Sequence, residues 1–374
     1  MIFGKEKYLF MFEDLLIEDS INNPEELFRL GKYYNGENNV LSFKYFSKLV
    51  ELNENFIEAW LSLASFYDKG IENFLEVDKE NAIRCYKKVV ELNPNDANFL
   101  CYLGLCYEDN EDNELYDINA FECYKKATEI DDLYGPAWFY LGNCYEHGIG
   151  TLKNEEKAFL CIEKASESSG NLTYAWRRLC QYYELGFGTE VNKNKIFEYY
   201  KKITEISRND PIAWNRLGLC YDNGTGTEVD SNKAFECYKK ASELDETYSP
   251  YWYNLGMCYQ YGSGTDVDEN KAFECYKKAN EIDVTNACYW NKLGLCYNNG
   301  IGIEVDENKA FECCKKANEL DETDAVYWNN LGFCYLKGIG TDVDIAKAKE
   351  LLTKALELDP DDENIKSLLA ECDE

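Results

Sequence analysis

Apolar positions recur three and four residues apart, break at short glycine-rich stretches, and begin again, and the whole arrangement repeats every 38 residues. One segment reads W-x-x-LG-x-CY, a loop reads GxGT-(E/D)-VD-x-NK, and a second segment reads AFECYKKA-x-E-(L/I)-D. At helical spacing Trp214, Leu217, Gly218 and Tyr221 share one face of the first segment. Ala234, Cys237, Tyr238 and Ala241 share one face of the second, with Glu236, Lys239 and Lys240 on the side toward water. Both segments are predicted to be amphipathic helices. Gly218 is expected to let a neighbouring backbone approach closely. Asp230, ahead of Ser231, suits an N-cap, and the glycines before it suit a helix end and turn.

The register holds over most of the chain. Gly104, Gly142, Gly218, Gly256, Gly294 and Gly332 fall on it, with Cys180 taking the glycine place once. Trp138, Trp176, Trp214, Trp252, Trp290 and Trp328 fall four residues earlier, as one buried anchor per copy. Two less regular copies precede them, one from Ala59 to Asn93 and one from Pro24 to Asn53, making nine helix pairs between about residues 21 and 359. Residues 1–20, with Tyr8, Leu9, Phe10, Phe12, Leu15 and Leu16, are expected to form a helix that caps the first repeat or docks on a partner. Residues 360–374, with Ile365, Leu368 and Leu369 on one face, are expected to close the other end.

The Trp–Leu–Gly–Tyr–Ala–Ala spacing resembles the tetratricopeptide (TPR) repeat, and the loops GTGTEVDSNKA and GSGTDVDENKA resemble those of the Sel1-like repeat. The longer links between copies, such as LDETYSPYW, leave the choice between the two open. The resemblance implies an all-α fold: an α-solenoid superhelix of antiparallel helix pairs, right-handed, with the first helices lining a concave groove. It also implies a non-catalytic scaffold or adaptor that holds an extended segment of another protein in that groove.

Charge and composition narrow this. Lys plus Arg is 39 against 70 for Asp plus Glu, a net charge of −31. That works against nucleic acid and anionic membrane surfaces, and fits a basic or neutral protein partner. No run of about 18 apolar residues offers a membrane span, and acidic residues interrupt the N-terminal stretch, so a cytoplasmic location is expected. His147 is the single histidine and no C-x-x-C occurs, which argues against zinc, thioredoxin-like redox and histidine-based nucleophilic chemistry. No cofactor or metal is expected. TDVDEN around Asp266, Asp268 and Asn270 imitates a calcium loop without its Gly and Glu, and reads as capping.

Cysteine also repeats, at Cys106, Cys144, Cys220, Cys258, Cys296 and Cys334 in the first helices and Cys85, Cys123, Cys161, Cys237, Cys275 and Cys313 in the second. In a cysteine-rich branch of the Sel1-like family such residues staple helices, which implies the alternative of an exported, disulfide-stapled protein that binds or hydrolyses a small molecule. The other reading is small apolar packing residues. The odd count of 17 and the absent export signal favour packing.

Site residues are expected on the first-helix face opposite Trp. There Asn215, Asn291 and Asn329, with Asn254 and Asn330 at the edge, form a row beside Tyr253, Met257, Tyr261, Leu219, Leu295 and Phe333. Asn298, Asn299, Asn223 and Gln260 add amides. An amide donates and accepts, so such a row suits a peptide backbone; it equally suits a solvated polar face. Toward the N-terminus Glu108, Asp109, Glu146, Glu184 and Asp222 give the face negative charge. Arg177, Arg178 and Arg216 form a basic island that either clamps a carboxylate or phosphate or is balanced by Glu184 and Asp222.

Overall fold

The computed structural model describes residues 23–109, 113–168 and 173–373. Nineteen α-helices are formed among them. They are α1 (Pro24–Tyr34), α2 (Asn39–Leu52), α3 (Ile57–Lys69), α4 (Lys79–Leu92), α5 (Ala97–Glu108), α6 (Glu114–Ile130), α7 (Gly135–His147), α8 (Glu155–Glu167), α9 (Thr173–Leu185) and α10 (Lys193–Ile206). Then follow α11 (Pro211–Asn223), α12 (Ser231–Leu244), α13 (Ser249–Tyr261), α14 (Glu269–Ile282), α15 (Ala287–Asn299), α16 (Glu307–Leu320), α17 (Ala325–Lys337), α18 (Ile345–Leu358) and α19 (Glu363–Glu371). Eight of the expected nine pairs form inside the units, α1/α2 through α7/α8 and α11/α12 through α17/α18, and the ninth, α9 and α10, falls on either side of the division between them. Residues 1–20, expected to form a capping or docking helix, lie outside the described residues.

Two compact units divide the chain between Val191 and Asn192. The first holds α1–α9 and the second α10–α19. Inside each unit a helix packs most extensively on its own repeat partner and then on the next repeat, so pairs stack in sequence order as a solenoid.

Two glycines per regular repeat make this stacking possible. The first is the helical glycine of the LG dipeptide. A Cβ on Gly256 would lie 2.8 Å from the ring of Tyr276, and one on Gly104 2.5 Å from Tyr124. The same notch takes Tyr238 at Gly218, Ile162 at Gly142 and Leu352 at Gly332. Here the expectation of a close backbone is corrected: the notch receives a large side chain of the second helix. Close backbone approach occurs instead at the second loop glycine. Gly264 has φ +72, and a Cβ there would sit 2.0 Å from the carbonyl oxygen of Ser231, the first residue of α12 in the preceding repeat. Gly226, Gly302 and Gly340 meet Lys193, Glu269 and Glu307 in the same way.

The rest of each loop is built from caps. Asp268 accepts from the Lys271 amide at 3.0 Å and its own amide donates to the Tyr259 carbonyl at 2.9 Å. Lys271 pairs with the Asp268 carboxylate at 2.9 Å and lies 5.2 Å from the Tyr259 ring centroid. Asp230 and Asp306 repeat this arrangement. These contacts account for the calcium-like TDVDEN string. Across repeats, Phe235, Phe273 and Phe311 set their edges on Tyr259, Tyr297 and Tyr335 at 5.3–5.5 Å.

The tryptophans differ from expectation. Each is half-buried rather than sealed in the core, because its indole must reach the link between repeats. Trp252 donates to the Glu246 carbonyl at 3.1 Å, and Trp214, Trp290 and Trp328 bond carbonyls six residues upstream at 2.8–2.9 Å. The fully buried anchors are tyrosines, Tyr124, Tyr238, Tyr251 and Tyr276.

Gly264→Ala is expected to cost about 2–4 kcal/mol, since it combines a positive φ with a clash against backbone. Gly36→Ala, at φ +93 with open space around it, should cost only about 1 kcal/mol. Urea unfolding measures both. Hydrogen exchange should show the Gly264 loss concentrated in the adjoining repeats, and uniform loss along the chain would contradict nearest-neighbour stacking.

Candidate functional site

In the second unit the first helices α11, α13, α15 and α17 carry the predicted asparagines. These amides do not form an open row. Asn254 donates from Nδ2 to Oδ1 of Asn215 at 2.9 Å, and Asn330 donates to Asn291 at 2.7 Å. Each bond joins neighbouring repeats, and Asn215 and Asn291 are buried to 8% and 7% exposure. Burying an amide demands a partner, and the next repeat supplies it. A pair so joined still has a carbonyl oxygen and an amino group not consumed by the bond. Asn329 occupies the same place on α17 and its Oδ1 is buried without a hydrogen bond among the described residues.

Around these pairs the predicted apolar neighbours gather. Met257 and Tyr253 are half-buried and pack on the core formed by Ala272, Phe273 and Tyr276. Tyr253 also lies 5.5 Å from the Tyr289 ring and accepts from the Cys288 thiol at 3.5 Å. Leu219, Leu295 and Phe333, at the position of Met257 in their repeats, are half-buried, as is Asn298, which donates to Asn299 at 3.1 Å. Tyr261 is 59% exposed, with Lys292 Nζ 5.9 Å from its ring.

Much of the polar character of this face has a partner in the fold that sequence reasoning missed. Tyr276 donates to Gln260 at 2.7 Å, Tyr238 to Asp222 at 3.3 Å and Tyr124 to Glu108 at 2.8 Å. Burial and the facing Glu108 carboxylate push the Tyr124 hydroxyl well above its ordinary range, so it remains a donor. The signal was present in the sequence: where Leu352 replaces the tyrosine, the acceptor's place holds Leu336. Glu108 and Asp222 are therefore not free groove charges, and Asp109 is paired to Lys79 at 3.1 Å.

The basic island is likewise corrected. Arg178 pairs with Glu146 at 3.2 Å, and Glu146 also accepts from Tyr182 at 2.7 Å. For Arg178 the balancing carboxylate is Glu146. Arg177 lies with Arg178 on α9 in the first unit, while Arg216 is exposed on α11 in the second. Among the described residues no carboxylate pairs with Arg216.

With Cys180 and Cys220 set aside, the other fifteen cysteines are free thiols. Burial pushes Cys85 up to about 11 and Cys106, Cys237 and Cys275 up to about 12, which keeps them protonated and unreactive. Among the described residues no group of three or more His, Cys, Asp and Glu side chains is placed to hold a metal ion. No helix of the described residues is long and apolar enough to cross a membrane.

Clefts also open on the tryptophan side of the repeats. One of about 380 Å³ is lined by Trp252, Leu255, Tyr259, Glu274 and Lys278. Lys278 covers the Trp252 ring at 3.8 Å and pairs with Glu246 at 2.8 Å, so its polar groups are already engaged.

Comparison with known proteins now has a geometry to meet. The Sel1 repeat model matches residues 27–54, 58–93, 136–169, 174–205, 211–246, 253–282, 291–322 and 329–360. The chain belongs to the Sel1-repeat family. A TPR repeat model matches residues 78–110, a stretch whose neighbouring loops lack the G-x-G pair. A protective antigen present in uropathogenic Escherichia coli strains, which displays an SLR fold, superposes with a TM-score of 0.70 at 20% identity, over 92% of this chain and 79% of that one. A Sel1 repeat protein from Oxalobacter formigenes gives 0.59 at 21% identity, over 85% and 87%. At these identities the likeness is one of fold. No curated protein matches the chain. Sel1 and TPR repeats generally serve as protein-interaction scaffolds and are typically non-catalytic.

Half-buried Cys372 is expected to react first with a thiol reagent on the native protein at pH 8, with the buried helix thiols silent. In denaturant without reductant nearly all 17 should react. Five or more disulfides in protein from its own compartment would contradict the packing role.

Proposed function

We propose that this Sel1-repeat protein is a non-catalytic scaffold or adaptor, and that the first-helix face of its second unit holds an extended segment of another protein. The observation that carries the reading is the set of oriented amides on successive first helices, Asn254 on Asn215 and Asn330 on Asn291, continued by the orphaned acceptor of Asn329. A buried acceptor without a donor is costly, so Asn329 would gain by turning its amide toward a backbone N–H of a bound segment. Tyr253, Met257, Tyr261, Asn298 and Phe333 then border the segment and set which side chains it carries. Arg177, Arg178 and Arg216 are not read as one anion clamp, since Arg178 is engaged by Glu146. The charge of −31 supports a protein partner over nucleic acid or an anionic membrane surface. The abundance of buried cysteine supports a cytoplasmic rather than exported role.

Affinity capture from the native host tests this. The variant carrying Asn215→Ala, Asn254→Ala, Asn291→Ala and Asn329→Ala, with its helicity verified by circular dichroism, should lose the partner. Each lost amide should weaken binding by about 1–2 kcal/mol. Tyr261→Ala, on an exposed side chain, should change partner preference without changing stability. Full capture by both variants would place the binding surface elsewhere.

A further inference from the structure

The position two residues after each tryptophan alternates along the second unit: Arg216, Asn254, Lys292, Asn330. The two amides are those that tie repeats together. The two cations have no ion-pair partner among the described residues, in a chain where 70 acidic residues oppose 39 basic ones. The one carboxylate on the same face of the second unit, Asp222, accepts from Tyr238. This surface therefore has the opposite sign to the chain as a whole. The same face carries one half-buried apolar side chain per repeat, Leu219, Met257, Leu295 and Phe333.

We propose that the segment bound on this face is acidic, is extended, and presents an apolar side chain at every third residue. The proposal rests on the scaffold reading above and names its ligand. The Asn254–Asn215 bond and the 5.5 Å spacing of the Tyr253 and Tyr289 rings set neighbouring first helices side by side. Packed helix axes lie about 8–10 Å apart, and an extended chain advances about 3.1–3.4 Å per residue. One repeat thus corresponds to about three residues of ligand. A polyproline II conformation, with three residues per turn, returns the same side to the protein at that interval. Arg216 and Lys292, two repeats apart, then meet carboxylates about six residues apart.

The test uses the full-length protein and dye-labelled twelve-residue peptides with Leu at every third position, Pro and Gln elsewhere, and two Glu six residues apart. Fluorescence anisotropy should show the Glu peptide binding about three- to tenfold more tightly than the same peptide with Lys for Glu at low salt, with the gap closing as salt rises. A peptide of equal composition with Leu at every second position should bind more weakly. In the Arg216→Glu, Lys292→Glu protein the preference should reverse toward the Lys peptide. Equal binding of Glu and Lys peptides, a preference that survives the charge reversal, or tighter binding of the alternating peptide overturns the proposal. If both peptides bind alike yet weaken together in Asn254→Ala, Asn330→Ala protein, the scaffold reading stands and only the acidic ligand falls. If neither binds, the ligand assignment falls, and the capture experiment decides the scaffold reading separately.

Discussion

Removal of a side chain at two places per repeat is what the rest of this structure depends on. At Gly256 the missing Cβ opens a notch for the ring of Tyr276, and at Gly264 it lets a loop rest on the first carbonyl of the preceding second helix. The first contact holds a pair together and the second holds pairs to each other. Neither tolerates even one added carbon without movement, because the neighbours stand at 2.8 and 2.0 Å from where it would lie. Packing on this scale is local and repeatable, which is why a chain of 374 residues needs no single large core. Each unit is a row of small cores sharing walls.

The same economy explains which polar residues say something about a ligand. A tyrosine seated in the notch brings its hydroxyl into the interior, and a buried hydroxyl requires an acceptor. Glu108, Asp222 and Gln260 supply it for Tyr124, Tyr238 and Tyr276. Where the notch holds Leu352, the facing position holds buried Leu336. Two carboxylates, one carboxamide and one alkyl group at equivalent places are thus answers to the side chain opposite. The residues that remain informative about a partner are those the fold does not require: Arg216, Lys292, Tyr261 and the orphaned oxygen of Asn329.

Helix pairs, their period, the caps and the glycine places were legible in the sequence because each has a local cause. An N-cap needs Asp or Asn two or three residues before the amide it accepts, and a notch needs glycine, so both recur at near-fixed spacing in most copies. The direction in which Trp252 spends its indole was not legible. An aromatic at helical spacing reads as core, while its hydrogen bond goes to a carbonyl six residues back in the inter-repeat link. The asparagines were found on the right face for an incomplete reason. Periodicity groups Asn215 with Asn254, but only the helix spacing shows that one amide fills the other.

Net charge illustrates the limit of composition as a guide to recognition. A sum over the chain counts loop caps, outer-face pairs and link residues equally with the residues that would touch a ligand. In this family the caps alone contribute Asp230, Asp268, Asp306 and Asp344, each engaged by backbone amides at a helix start. At Asp230 and Asp268 the neighbouring lysine side chains first, and those backbone bonds second, hold the carboxylates in the charged form and shift them below their usual range. Such charges are structural and face the loop edge. Within a screening length of about 10 Å at 0.1 M salt, a bound segment would respond chiefly to the cations beside it. On the proposed reading the chain's acidity would act on encounter at long range, and the alternation of Arg216, Asn254, Lys292 and Asn330 would act at contact.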